Sequence, residues 1–362
     1  MDSAFYMLAA VVVLAILFDY INGFHDTANA IATVVSTNVL PPRTAILIAA
    51  LANFGGAFAA VGGVAKTIGA DIANPASITQ TVVVCALMGA IIWNLITWYF
   101  GIPSSSSHAL VGGIVGSVAC HRVLDDKQDL FTTLHALFTS RGVVLVLEGL
   151  VLSPVAGILT SFAIMVALLW IFKRSAPSKV THLFRRMQLV SSGFMAFSHG
   201  SNDAQKAMGI VTMALIGYCA AHPGSEHSLA LDWNAWQEHR QMIIPWWVIV
   251  LCATAMGLGT AAGGWRIMKT MGQKIITLRP IDGFAAETAG AIVILTATHL
   301  HAPVSTTHVI SSAIMGVGAS KRVSAVRWGI AGNILIAWIL TIPVSAAVAA
   351  FLYFSLRPLL GA

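Results

Sequence analysis

Two short polar motifs are each written twice in this chain, inside sequence that is otherwise apolar, and few folds can accommodate that. Gly23-Phe24-His25-Asp26-Thr27-Ala28-Asn29-Ala30 returns as Gly200-Ser201-Asn202-Asp203-Ala204-Gln205-Lys206-Ala207, and Pro103-Ser104-Ser105-Ser106-Ser107-His108 returns as Pro303-Val304-Ser305-Thr306-Thr307-His308. Carboxylates and hydroxyl runs are costly in hydrocarbon, so repeating them between apolar stretches points to one site assembled from two related halves. The setting is a membrane, because 57% of the residues are hydrophobic and 9% charged, a balance that soluble domains do not keep. The first apolar run, Ala4 to Phe18, has no basic segment before it and reads as a retained span rather than a cleaved signal. Cys85, Cys120, Cys219 and Cys252 have no C-x-x-C spacing, which favours packing residues over a zinc site or a disulfide framework.

Basic residues cluster at 173–186, 266–279 and 321–327, and acids dominate Glu226 to Glu238 and Asp125 to Asp129. The positive-inside rule puts the first three segments in the cytoplasm and the acidic pair outside, which excludes nucleic-acid binding as the meaning of the basic excess. In the second half, Leu189 to Tyr218 then crosses outward and Pro245 to Gly263 returns. Phe284 to Ala319 enters and comes back to the same side, and Trp328 to Phe354 ends outside. The first half fits the same scheme upside down, with the N-terminus outside, Arg43 inside, the Lys66 to Pro75 loop outside and Lys173 inside. On this topology thirteen basic residues lie inside and six outside: Lys66, Arg122, Lys127, Arg141, Arg240 and Arg357.

The expected fold is therefore an all-α polytopic membrane protein. Two inverted-topology repeats, 1–172 and 187–362, are joined by a basic cytoplasmic linker, 173–186. Broken helices or re-entrant motifs meet at mid-membrane, and the Gly and Pro content of the motifs suits such breaks. The motif offsets, 177 residues from Asp26 to Asp203 and 200 from His108 to His308, set the boundaries.

In Ser104 to Ser107 and Ser305 to Thr307, hydroxyls follow a proline and precede an apolar helical run, where a helix begins. Unpaired backbone N–H groups, the helix dipole and hydroxyl donors converge there and can hold a tetrahedral oxyanion. The plainer alternative is an N-cap that only satisfies a helix end, but two copies, each with Pro before and His after, favour the anion site. His108 and His308 could contact the anion, carry a proton, or hydrogen-bond within the helix-start turn. Asp26 and Asp203 lie in apolar surroundings with Asn22, Asn29 and Asn202 close by. Such a carboxylate could coordinate a small cation, sodium for example, take a proton as the coupled ion, or cap a broken helix. Glu287 is a further acid, 16 residues before Pro303, and its partner position by the 200-residue offset is Leu87. A proton relay or a structural pairing would fit it, and Glu148 is a weaker case. No other metal site or cofactor is indicated.

With those motifs in place, the chain resembles the PiT family of inorganic phosphate transporters over nearly its whole length, most closely its compact bacterial members. Gly23 to Ala30 and, more loosely, Gly200 to Ala207 resemble the family's G-A-N-D-x-A-N-A-like segment. Pro103 to His108 and Pro303 to His308 resemble its P-x-S-[ST]-[ST]-H-like segments. The resemblance implies secondary transport of inorganic phosphate with sodium or protons through the bacterial inner membrane, phosphate lying between the hydroxyl motifs and cations near the aspartates. It nominates Asp26, Asn29, Ser106, Ser107, Asp203, Thr306 and Thr307, and a homodimer. Phe24-His25 departs from the family's Ala-Asn, and Lys206 stands where the first half has Asn29. An ammonium beside Asp203 could replace a bound cation or bond the phosphate directly, which favours protons over sodium.

Helix termini and hydroxyls do not count protons on an anion, so a sulfate or other oxyanion permease remains the nearest alternative. An intramembrane hydrolase built on Ser107 or Thr307 fails because adjacent Ser-His seldom gives nucleophile-base geometry, and duplication has no catalytic rationale. A channel suits inverted halves and paired carboxylates poorly. No Walker sequence is present, so the expected driving force is an ion gradient and the chain is not expected to be an enzyme.

Overall fold

The computed structural model describes residues 3–59, 62–72, 78–239 and 241–360, and within them every regular element is helical. Arg240 and residues 73–77, which include the end of the Lys66 to Pro75 loop, lie outside the described residues. In chain order the helices are α1 (Ser3–Ser36), α2 (Pro42–Phe58), α3 (Gly63–Gly69), α4 (Gln80–Phe100), α5 (Ser106–Leu124), α6 (Leu130–Phe138) and α7 (Arg141–Ile171). They continue as α8 (Pro177–Ala221), α9 (Trp233–His239), α10 (Trp246–Ala262), α11 (Trp265–Lys269, prolonged by a π turn over Thr270–Lys274), α12 (Pro280–His299), α13 (Thr306–Lys321) and α14 (Trp328–Leu360). Among the described residues six helices are long and apolar enough to cross a membrane, or eight if the bent pairs α2–α3 and α10–α11 each count as one span.

Packing is reciprocal between the halves. α1 packs on α10 while α8 packs on α2, and α5 packs on α14 while α13 packs on α7. Helix pairs α4–α5 and α12–α13 each close on themselves as hairpins. The second and last long helices of each half thus lie against the other half, so neither half completes its core alone. Apolar side chains such as Val151, Leu159, Ile336 and Phe351 stay exposed on α7 and α14, as lipid-facing surface does. Both of these helices carry an internal proline, Pro154 and Pro343. Glu148 is exposed on α7, in a mainly apolar cavity that Val304 of the second hydroxyl motif also lines.

Several expectations need correction. The aspartate motifs do not break their helices: α1 and α8 run through them unbroken, and neither motif contains a proline. Their glycines serve close packing instead. A Cβ on Gly23 would come within 2.6 Å of the Met256 carbonyl oxygen on α10, and one on Gly200 within 2.2 Å of the Asn53 carbonyl oxygen on α2. The breaks fall at the two hydroxyl motifs and within the bent pairs. The basic segment 173–186 is helical from Pro177 onward, as the first turns of α8. Trp236 is buried in the core, whereas Trp246 is exposed.

The hairpin of α12 and α13 returns to the side it starts from, and a salt bridge across its base, Lys321 Nζ to Asp282 Oδ2 at 2.5 Å, fixes that. At the end of α5 the Tyr353 hydroxyl donates to Asp125 Oδ2 at 2.7 Å, and Arg357 reaches Asp125 Oδ1 at 3.2 Å, clasping the first hairpin to α14. Between α5 and α14 the contact depends on small residues. A Cβ on Gly116 would sit 2.0 Å from the Ala346 carbonyl oxygen, and Gly112 faces Ile342 and Ser345 with equal closeness. This is the G-x-x-x-G approach that lets backbones meet in lipid. Gly116→Val is expected to push α14 off α5 at a cost of about 1–3 kcal/mol or more, read as a lowered thermal unfolding midpoint of the detergent-solubilised protein.

Candidate functional site

The two hairpin tips carry the hydroxyl motifs, and both helix starts are built alike. Ser105 precedes α5 and Ser305 precedes α13 with extended backbone, and each side chain accepts from the backbone N–H three residues on, His108 N and His308 N, at 3.2 Å. These two serines, expected to touch an anion, are occupied as N-caps, a role worth about 1 kcal/mol each. The next hydroxyls point elsewhere. Ser106, Ser107, Thr306 and Thr307 are buried and face the aspartate motifs of α1 and α8.

Around Asp26 the donors come from both halves. His25 Nδ1 lies 2.6 Å from Oδ1, Thr307 Oγ1 donates to Oδ1 at 3.4 Å, and Ser106 Oγ donates to Oδ2 at 3.4 Å. One turn further, Asn29 Nδ2 donates to Thr307 Oγ1 at 2.9 Å and to Thr306 Oγ1 at 3.3 Å. Asp203 is held differently. Lys206 Nζ is ion-paired to Oδ1, His199 Nε2 stands 3.2 Å from Oδ2, and Thr306 Oγ1 donates to Oδ2 at 3.1 Å. The same ammonium donates to Ser107 Oγ and to the Val304 carbonyl at 3.3 Å, so Lys206 ties α8 to both hairpin tips. All these groups are nearly or wholly buried, and the lysine has no accessible surface.

The sequence-predicted residues therefore meet at one place, apart from three departures. Glu287, on α12, lies against Thr33, which is two turns along α1 from Asp26, and accepts from it at 2.5 Å, from Gln188 at 2.9 Å and from Ser191. The His108 and His308 rings touch one another, centroids 4.8 Å apart, and His308 stacks on Trp338 at 3.9 Å. Among the described residues neither ring makes a hydrogen bond, so the expected bond within the helix-start turn comes from the backbone N–H alone. Asn202 donates to Thr298 at 2.9 Å, whereas Asn22 has no partner among the described residues.

Sequence reasoning passed over His199. The repeat itself could have found it, because the 177-residue offset pairs Asn22 with His199 and His25 with Asn202. Each half thus has one Asn and one His around its aspartate, in exchanged positions. His199 Nδ1 faces Asn53 Oδ1 at 3.1 Å, and Asn53 donates to Thr260 at 2.9 Å, so a polar chain links α8, α2 and α10 behind the site. Ligand atoms of Asp26, His199 and Asp203 lie within 4.8 Å of one another. That spacing alone would suit a cation, but the ammonium of Lys206 already stands against one of the carboxylates.

Two short helical segments each meet one tip. The Thr67 hydroxyl of α3 donates to the His301 carbonyl at 3.1 Å, and the Thr270 hydroxyl after α11 donates to the Gly101 carbonyl at 2.9 Å. His301 and Gly101 both have left-handed backbone, φ 58° and 66°, at the ends of the helices that feed the tips. Gln205 Oε1 also accepts from Val64 N at 3.1 Å, which anchors α3 to the site helix. Beside this contact a cavity of about 580 Å³ is lined by Lys66, Arg141, His239, His301 and Asp71, a mainly basic lining.

A model of the phosphate transporter family matches residues 22–349. The chain is 47% identical over 359 residues to a probable low-affinity inorganic phosphate transporter of Bacillus subtilis, covering 99% of each chain, and 44% identical over 353 residues to one of Rhizobium meliloti, covering 97% of each. Among solved structures, one titled the sodium-dependent phosphate transporter superposes with TM-score 0.80 at 25% identity, covering 98% of this chain and 99% of that one.

Removing the lysine tests the electrostatics of the site. Lys206→Met strands a buried Asp203 carboxylate and is expected to cost about 3–5 kcal/mol in thermal or denaturant unfolding. The double variant Lys206→Met/Asp203→Asn is expected to recover most of that loss.

Proposed function

Because the chain belongs to the phosphate transporter family, we propose that it imports inorganic phosphate across the bacterial cytoplasmic membrane by proton symport, through alternating access of two inverted halves. The observation that carries this reading is Lys206, which bonds Ser107 of one hairpin tip and the Val304 carbonyl of the other while neutralising Asp203. An oxyanion entering between Ser106–Ser107 and Thr306–Thr307 meets hydroxyl donors, two helix N-termini and this ammonium, with Asn29 beside them. Asp26 and Asp203 face the same space as acceptors. They favour phosphate over sulfate, because a protonated phosphate can donate to a carboxylate and sulfate cannot.

With an ammonium already against Asp203, a sodium ion there would meet a like charge, which supports the proton as coupling ion. The two threonine contacts give the alternation a physical form. Thr67 on the His301 carbonyl closes the outer side, Thr270 on the Gly101 carbonyl closes the inner side, and opening one while the other holds exposes the anion to one face at a time. The basic cavity beside α3 draws the anion toward the outer side.

Uptake of labelled phosphate by proteoliposomes of the purified protein tests the reading. Accumulation is expected with an inside-alkaline gradient and no sodium, without competition from excess sulfate, and an absolute requirement for sodium would overturn the coupling. Ser107→Ala and Thr307→Ala are each expected to raise the half-saturating phosphate concentration about tenfold or more, since each removes a hydrogen bond to a charged group worth about 1.5–3 kcal/mol. Thr270→Val is expected to favour the inward-open form and Thr67→Val the outward-open form, read as opposite changes in labelling of cysteines placed at the two entrances.

A further inference from the structure

We propose that Asp19 is the carboxylate that carries the coupled proton, with Asn22 receiving its hydrogen bond when it is protonated. This rests on the proton-symport reading and adds to it a residue that lies outside both duplicated motifs.

The buried carboxylates in the described residues fall into two groups. Asp26 has His25, Ser106 and Thr307; Asp203 has Lys206, His199 and Thr306; Glu287 has Thr33, Gln188 and Ser191; Asp282 has Lys321. Asp19 stands apart. It has no accessible surface, and neither of its oxygens makes a well-formed hydrogen bond among the described residues, although the Asn22 amide is within its reach. Asn22, one turn along α1, is equally buried, and both its amide oxygen and its amide nitrogen lack partners there.

An ionised carboxylate in that position has no well-formed hydrogen bond, and the ammonium within its reach, Lys206, is already paired with Asp203, an arrangement that a low-dielectric interior tolerates poorly. Protonation changes both residues at once. The neutral acid gains one O–H donor, and the Asn22 Oδ1 is an acceptor that lacks a donor, so one hydrogen bond would satisfy both. The occluded form of the protein accordingly fits Asp19 as the acid, and opening the site to water is what allows it to ionise. The proton is taken from water on the entry side and released to water on the exit side, and no other bond changes.

Its position also links it to the anion site. The titratable groups that reach Asp19 are Asp203 and Lys206 on α8 and the Cys252 thiol on α10. A phosphate arriving at Lys206 adds negative charge within reach of Asp19 and favours its protonated form. By reciprocity a protonated Asp19 favours the anion, which is the linkage a symporter requires. The repeat supports a single device of this kind. The 177-residue offset pairs Asp19 with Ala196, so the carboxylate occurs in one half only.

The test uses the full chain in proteoliposomes and two readouts, proton-driven accumulation of labelled phosphate and phosphate/phosphate exchange without a gradient. Asp19→Asn, a permanently neutral side chain, is expected to lower the accumulation ratio at least tenfold while exchange continues and loses its dependence on pH. Asp19→Glu is expected to restore accumulation. Accumulation by Asp19→Asn at the wild-type ratio would overturn the proposal. Loss of exchange in both variants would overturn it as well, by marking a structural residue. A wild-type protein that exchanges phosphate but ignores the pH gradient refutes the proton assignment alone, whereas a wild type that exchanges no phosphate refutes the transport reading beneath it.

Discussion

A lysine with no accessible surface, deep in a helical membrane protein, must have its charge answered by the protein, and much of the architecture follows from how Lys206 is answered. Its ammonium is paired with Asp203 one turn away on α8 and reaches Ser107 and the Val304 carbonyl on the two hairpin tips. Breaking such a pair strands a charge, so α8 and both tips are held in one register as long as the pair is intact. The helix starts of α5 and α13 can then present their hydroxyls inward because Ser105 and Ser305 have already taken up the capping duty. Capping and inward-facing hydrogen bonds are divided between neighbouring residues of one short run.

Around that centre the halves are interlocked rather than docked. α2 and α7 of the first half complete the packing of α8 and α13, and α10 and α14 do the same for α1 and α5. Close backbone contacts at Gly23, Gly200, Gly116 and Gly316 make this possible, since a Cβ at any of them would collide with a carbonyl of the facing helix or, at Gly316, also with the Ser161 hydroxyl. In lipid, where apolar contact alone gives helices little reason to associate, such approaches and a few buried polar links hold the assembly. The duplication of the motifs is not carried into the charges. Asn29 is matched by Lys206, Asp19 by Ala196 and Glu287 by Leu87, so the two halves share a scaffold while placing their ionisable groups differently.

Much of the site was legible because its chemistry is incompatible with its surroundings: Asp26, Asp203 and two hydroxyl runs stand out in apolar sequence, and each is written twice. His199 was not legible in the same way, since a lone histidine on an apolar helix is ordinary and only its exchanged position against Asn22 marks it. Gly23 and Gly200 were misread as helix breakers, because sequence shows that a glycine is present and not what approaches it. Ser105 and Ser107 are chemically identical in the sequence, and a helical turn sends one to a backbone N–H and the other to an ammonium.

The sequence by itself determined the membrane setting, the helical class, the duplication of the two polar motifs and the asymmetry at Lys206. All of these follow from composition, spacing and the cost of polar groups in hydrocarbon. Only the tertiary structure decided which hydroxyls are free of capping, which carboxylate Lys206 neutralises, where the chain is broken, and that Asp19 is left with no well-formed hydrogen bond among the described residues. Those outcomes depend on which side chains distant helices bring within about 3 Å of one another, a distance that the order of residues along the chain does not contain.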